Sequence, residues 1–527
     1  MTDHVVAVVL PTAVTHGPVS TGMFNDGINH RPDGSKKMSF KKRIGRATIV
    51  ATLLVMVPLM AHMRAHRAAL GAAGAHMSHF LAVGPHALAA DSRTPHYGLF
   101  TCQVGQAAFA CYDPYQMRTA YHLNSLIQAG YTGAGHTIVI VDAFQSPSLS
   151  ADLDTFDGFY GLPPRSAFFT QVAPDGLTPF DPADGNMVGW AAEIALDVEW
   201  AHAIAPGANI VLDLAKSNSD SDLLSALKYA VDHNLGDIIS QSFGENEQCV
   251  DPNLVAAQHQ VYAAATMKNI TIFASSGDQG AAQPTCDGTS WTRAASFPAD
   301  DPLVTAVGGT DLHAAGYCLT ALGCTPSSNA PAGTYQSETA WNEFHSISTG
   351  GGLSTVYDEP SYQKGTIHGG KQKGLPDVAY NAAVFHGVLV RFAADWYLFG
   401  GTSSGSPQWA AIAAIADQVA GHNLGFINTA LYRIGHAMRH HAADLNDVTS
   451  GTNSVVETDV DGNPVAVQGY NAEAGWDPAT GLGSPVGDNL VNDLVKFVAP
   501  DDGTAAVARS RSHGNSGAHG SGHVDPH

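Results

Sequence analysis

Ala191-Ala-Glu-Ile-Ala-Leu-Asp-Val-Glu-Trp-Ala-His-Ala-Ile-Ala-Pro-Gly-Ala208 is the stretch that decides the fold. Its alanines and long aliphatic residues read as a buried helix that stops near Pro206 and Gly207. An apolar strand, Asn209 to Leu214, follows at once, and further strands are expected at Thr137 to Asp142, Asp237 to Ser242 and Thr271 to Ser275. Strands alternating with helical stretches imply a parallel sheet flanked by helices, hence one large α/β unit. The helix carries Glu193 and Asp197, four residues apart and so on one face. An acidic pair at that spacing is most often a solvated face, but from Gly189 to Leu214 there is no Lys or Arg. A buried acid needs a reason. Two carboxyls held this close repel when both are charged, which favours a shared proton and separates their titrations.

A second stretch, Gly400-Gly-Thr-Ser-Ser-Gly-Ser-Pro407, runs into the small-residue helix Gln408-Trp-Ala-Ala-Ile-Ala-Ala-Ile-Ala. Gly-Thr-Ser also describes many ordinary turns. Here Ser403 would stand at the N-terminal end of a deeply packed helix, where backbone N–H groups favour a developing oxyanion. A serine hydroxyl attacks nothing until a base takes its proton, and the Glu193/Asp197 pair offers a carboxylate for that. Ser404 and Ser406 are weaker candidates, because Ser403 alone sits four before the proline with Gly-Thr in front. A third element, Thr271-Ile-Phe-Ala-Ser-Ser-Gly-Asp-Gln-Gly280, puts Asp278 just past an apolar strand, where open α/β sheets place their sites. Kept protonated, Asp278 could donate a hydrogen bond to the oxyanion.

These segments resemble the sedolisin family of serine-carboxyl peptidases, its kumamolisin-like members in particular. The resemblance covers roughly Cys111 to Phe497 and includes Asp113-Pro-Tyr-Gln-Met-Arg-Thr-Ala-Tyr, Ala203-Ile-Ala-Pro-Gly-Ala, Gln241-Ser-Phe-Gly, Val307-Gly-Gly-Thr, Gly350-Gly-Gly-Leu-Ser and Leu375-Pro-Asp-Val-Ala. It implies a subtilisin-like fold and peptide-bond hydrolysis at acidic pH. Ser403 is then the nucleophile, Glu193 the general base, Asp197 the residue that orients it, and Asp278 the oxyanion donor. Asp142, at the end of the first strand, would extend the carboxyl network. It also implies one structural Ca²⁺, bound by the carboxylates of Asp447 and Asp477 and the backbone carbonyls of Val448, Glu473 and Gly475. The family often has Gly where Glu473 stands. Subtilisin relatives share the fold and the Gly-Thr-Ser nucleophile but need a histidine base in a His-Gly-Thr-His type context, and no such context occurs. A catalytically silent relative that acts as a peptide-binding or surface protein is the alternative from another functional class.

Composition agrees with this setting. The chain has 527 residues, 44% hydrophobic and 14% charged, ample for a large core, and 47 acidic against 25 basic residues. That excess of acid argues against nucleic acid as a partner and leaves protein or peptide substrates; a monomer is expected. Residues 1–37 read as a disordered or over-extended N-terminal stretch, with Met38 the more natural start. Residues 38–75 read as an export signal, or as a membrane anchor through the apolar run 47–61 if left uncleaved. Residues 76–110 read as a linker and leave no room for the large prodomain that family members commonly carry. The peptidase-like domain is expected over 111–497, and a disordered His/Gly/Ser tail over 498–527. Six cysteines in an exported chain suggest disulfides. Of the fifteen possible connectivities, order and spacing favour Cys102 with Cys111, Cys318 with Cys324 and, by elimination, Cys249 with Cys286. No Cys-x-x-Cys is present, so zinc is not expected.

Overall fold

The computed structural model describes residues 79–82, 99–104, 109–318, 330–367, 371–438 and 444–498. The expectations for 1–37, for the export segment 38–75 and for the 498–527 tail fall outside them, but for Val498. In chain order the framing strands are β1 (His79–Ala82), β2 (Ala110–Tyr112), β3 (Thr137–Ala143), β4 (Phe169–Val172), β5 (Asn209–Ala215), β6 (Ile238–Gln241), β7 (Thr271–Ser275), β8 (Thr305–Ala314), β9 (Tyr335–Ala340), β10 (Val378–Asn381), β11 (His386–Phe392) and β12 (Asp395–Gly400). Two helices matter most: α1 (Gly185–Ile204) and α2 (Gly405–Ala420).

The main sheet has eight strands in the order β9-β8-β7-β6-β3-β5-β4, with β10 also paired to β8. All pairs are parallel except β8 with β9. This is the expected α/β architecture. The central strands carry apolar runs, Ile138–Val141 in β3 and Ile272–Ala274 in β7, because both faces of the sheet are covered. Ile138, Ile140, Leu212 and Phe273 pack on the face that carries α1 and α2, while Val139, Val141, Ile239 and Ile272 pack on the other, as strand alternation requires. The expected strands match closely; β3 and β5 each run one residue further, and the third is shorter, Ile238–Gln241.

Helix α1 begins at Asp184, whose carboxyl accepts from the N–H groups of Asn186 and Met187 and so satisfies two of the donors that a helix start leaves open. It is buried on every side from Gly189 to Ile204, which explains why its sequence lacks a polar face. Helix α2 is built of Ala and Ile, small enough to lie close against the sheet, and Trp409 fixes it by donating from Nε1 to the Ala379 carbonyl of β10 at 3.0 Å.

A second sheet, in the order β1-β12-β11-β2, stands beside the first. Within the stretch read as a linker, residues 79–82 and 110 belong to strands of this sheet. β1 pairs antiparallel with β12, and Phe100 is buried with its ring 5.3 Å from that of Trp396. Disulfides join Cys102 to Cys111 and Cys249 to Cys286 as expected; Cys318 is also disulfide-bonded, with its partner outside the described residues. No helix among the described residues is long and apolar enough to cross a membrane.

Trp409→Ala removes a fully buried side chain and strands the Ala379 carbonyl, so it is expected to cost about 3–5 kcal/mol in chemical denaturation. A change below about 1 kcal/mol would show that α2 is not held through this residue.

Candidate active site

Ser403 lies in a single 3₁₀ turn, Thr402–Ser404, between β12 and α2. The chain enters that turn through Gly401 at φ 113°, a conformation that a side chain would strain. The three serines of the segment differ in how they are used. Ser404 Oγ accepts from Gln408 Nε2 at 3.1 Å, and Ser406 Oγ lies 2.9 Å from Ser240 Oγ. Ser403 is fully buried, and its Oγ has no hydrogen-bond partner among the described residues. An unengaged buried hydroxyl is rare in a packed core unless it has other work.

Helix α1 brings Glu193 and Asp197 to this region, both fully buried. The Asp197 carboxyl lies against Glu193 and the Ser242 hydroxyl, and Ser242 Oγ in turn donates weakly to the Ser403 carbonyl at 3.5 Å. Asp142, at the end of β3, completes a cluster of three acids. Burial raises the Asp142 carboxyl well above the usual range, with Glu193 as the second cause. Asp197 is raised by burial first and then by the charges of Asp142 and Glu193. In such a group charge is the costly state and protons are retained.

Asp278 follows β7 and is held by Thr402. The Thr402 N–H and Oγ1 each donate to Asp278 Oδ1 at 2.8 Å, while Thr402 Oγ1 accepts from the Gly277 N–H at 3.1 Å. Oδ2 is left without a partner among the described residues. Burial pushes Asp278 up to about 6 against the lowering effect of both Thr402 bonds. At acid pH the carboxyl is therefore neutral, with Oδ2 placed to carry the proton as a donor. Thr402 was missed in the sequence reading, where it served only as part of the Gly-Thr-Ser pattern. The Gly350-Gly-Gly run has a steric cause, since a Cβ on Gly350 would sit 2.0 Å from the Ser276 carbonyl oxygen.

His202 is poorly placed to be a base here. His202 is fully buried, stacks on Phe168 at 3.6 Å between ring centroids, and keeps Nε2 3.1 Å from the Pro163 carbonyl. Burial lowers it to about 3, so it stays neutral and structural.

Asp447, Val448, Glu473, Gly475 and Asp477 lie in two loops linked by hydrogen bonds. The Gly475 N–H reaches both oxygens of Asp447 at 3.1 and 3.0 Å, and the Glu473 N–H donates to Asp477 Oδ2 at 3.0 Å. Asp477 Oδ1 accepts from Ala479 and Thr480, and the Thr480 hydroxyl reaches the Val448 carbonyl at 3.5 Å. Burial raises Asp447 and brings Asp477 to about 6. Asp477 is buried and Asp447 exposed, and carboxylate oxygens of this kind suit a hard cation. The Glu473 side chain is exposed, so it does not compete for that position.

No protein-family model matches the chain. It is 31% identical over 411 residues to kumamolisin from Bacillus sp. (strain MN-32), covering 76% of this chain and 66% of that protein. Sedolisin from Pseudomonas sp. (strain 101) is 29% identical over 388 residues, 71% of this chain and 59% of the relative. Xanthomonalisin from Xanthomonas sp. (strain T-22) is 28% identical over 417 residues, 72% and 46%. The chain thus spans about half to two thirds of the length of these relatives. The solved structure of Pseudomonas sedolisin, a serine-carboxyl proteinase complexed with two molecules of pseudo-iodotyrostatin, superposes with a TM-score of 0.61 and 26% identity, covering 75% of this chain and all of that one.

Two expectations follow from the protonation of these acids. Thr402→Val deletes a hydrogen bond that favours ionised Asp278, so the Asp278 carboxyl should titrate higher in ¹³C NMR; an unchanged or lower midpoint would exclude the contact. Asp157, Asp213 and Asp417 are each raised by burial from the ordinary 3.8 to about 7. Between those limits the fold binds more protons than the unfolded chain, and it loses stability as pH rises through that window. Thermal unfolding should therefore occur at a higher temperature at pH 4 than at pH 7.5, and the reverse order would contradict the assignment.

Proposed function

Because the chain belongs to the sedolisin family, we propose that it is a serine-carboxyl endopeptidase that hydrolyses proteins or peptides at acidic pH through an acyl-enzyme. The observation that carries this reading is the buried Ser403 hydroxyl, without a hydrogen-bond partner among the described residues, in a region supplied with proton-holding carboxyls. In the proposed reaction Ser403 Oγ attacks the scissile carbonyl carbon while the Glu193 carboxylate takes its proton. Glu193 then delivers that proton to the leaving amine, and water releases the acyl group by the same route in reverse. Asp197, backed by Asp142, holds Glu193 in position and shares the proton load.

Asp278 gives the reaction its dependence on acid. Neutral, it donates from Oδ2 to the oxygen on which charge develops, beside the backbone N–H groups at the start of α2. Above about pH 6 it ionises, so the donor is lost and a negative charge faces the oxyanion. A subtilisin-type mechanism would work best near neutrality instead, and His202 does not supply its base.

Asp447, Asp477 and the carbonyls of Val448, Glu473 and Gly475 would hold one Ca²⁺, which when bound would neutralise both carboxylates and fasten the loops together. The disulfides suit an oxidising compartment and support export from the cell.

Peptide hydrolysis at pH 4 should vanish in Ser403→Ala and fall by about 10²–10⁴ in Glu193→Gln, since an amide cannot accept the proton. Near-normal turnover in Glu193→Gln would sink the base assignment, and no turnover in the folded parent protein would favour a silent peptide-binding relative. Chelation with EGTA should lower the unfolding temperature of the parent but not of Asp477→Asn; equal responses would remove the calcium site.

A further inference from the structure

Among the described residues one group of three metal-ligating side chains lies outside both clusters above: Asp311, His313 and His386. Asp311 and His313 are two apart on β8 and so face the same side of the strand. His386 opens β11, which is paired with β2 and β12 in the second sheet. Their ligand atoms all lie within 4.8 Å of one another. Asp311 Oδ1 is 2.6 Å from His386 Nδ1, Asp311 Oδ2 is 3.8 Å from His313 Nε2, and the imidazole centroids are 4.4 Å apart.

We infer that Asp311, His313 and His386 form a second metal site, for a borderline divalent cation of the Zn²⁺ class, that joins the two sheets. Two imidazoles and a carboxylate are a donor set that suits Zn²⁺ and its first-row neighbours, whereas Ca²⁺ takes oxygen alone. Zn²⁺ bonds of roughly 2.0–2.2 Å place neighbouring ligand atoms about 3.3–3.5 Å apart in a tetrahedral shell. The separations of 2.6 and 3.8 Å lie on either side of that value, so small rotations of three side chains would close the shell. The His313 side chain is 45% exposed, which leaves an open position for water.

The backbones that carry the ligands are already fixed. Buried Asn381 accepts from the Leu312 N–H, between the two β8 ligands, and donates to the His386 carbonyl at 2.7 Å. Tyr112 donates to the Leu312 carbonyl at 2.8 Å and accepts from the Ala314 N–H at 3.1 Å. The pairing of β8 with β9 shifts register between His313 and Ala314, a bulge of the kind that re-aims a side chain. A site pinned in this way loses little freedom on binding metal.

Its place gives it a consequence. β8 passes from Gly309, where a Cβ would meet Thr402 Cγ2 at 3.3 Å, to Asp311, while β11 leads through β12 to the Ser403 turn. A metal across the two strands would brace both approaches to Thr402 and Ser403.

The test is isothermal titration of the full chain with ZnCl₂ at neutral pH, in the parent, His313→Ala, His386→Ala and Asp477→Asn. The parent and Asp477→Asn should share one equivalent that is lost, or weakened at least tenfold, in both histidine variants, and Zn²⁺ should raise the unfolding temperature only where that equivalent binds. His313 is half exposed, so its variant should fold even if His386→Ala does not, which the metal-free unfolding temperature reports. Zn²⁺ binding that is unchanged in His313→Ala, or absent from the parent, would overturn the site; the first result would assign binding to other histidines, and loss in Asp477→Asn alone would assign it to the oxygen cluster.

Discussion

Carboxyl groups removed from water and set beside one another are the constraint on which the rest depends. At Asp142 and Asp197 burial is the larger influence and a neighbouring acid the next, and at Asp278 burial outweighs two hydrogen bonds. Charge in such surroundings costs far more than in water, so the groups keep their protons to higher pH. The sheet makes this possible. Its central strands end among helices and loops that cover both faces, and α1, buried all round, has no solvent-facing side on which its acids could ionise freely.

The fold also shows what an acid with a purely structural task looks like. Asp377 is fully buried, but its oxygens accept from the Ala306 N–H, Lys373 Nζ, Gln363 Nε2 and Tyr432 Oη. Every lone pair there is engaged and a buried ammonium matches its charge. Asp278 keeps one oxygen engaged and the other without a partner among the described residues, as is the Ser403 hydroxyl. That contrast, more than burial alone, separates chemistry from scaffold. Asp278 nevertheless depends on scaffold, because Thr402, the residue just before Ser403, binds it.

Much of this was legible in the sequence, for physical reasons that can be named. The pair Glu193 and Asp197 stood out because a helix without Lys or Arg cannot be a solvated face, and the central strands because parallel sheets need continuous apolar runs. Local patterns of that kind survive in one dimension. Contacts between distant segments do not. β1 and its pairing with β12 join residues such as Phe80 and Phe399, and nothing in the Ala- and His-rich stretch around β1 signals a strand. Asp311 and His386 are 75 residues apart, and the i,i+2 spacing of Asp311 and His313 is unremarkable until the second sheet brings the other imidazole to it. Thr402 lay in plain view, but only the fold shows that its hydroxyl bridges Gly277 and Asp278.

The central claim is that carboxyl groups, and not an imidazole, move the protons for Ser403. The pH dependence of kcat/KM for a chromogenic peptide, taken from pH 2 to 8, tests it most directly. The account predicts a maximum well below neutrality and a falling limb near pH 6, where Asp278 ionises. A profile that rises through pH 7 to a plateau would contradict it and return the proton transfer to histidine.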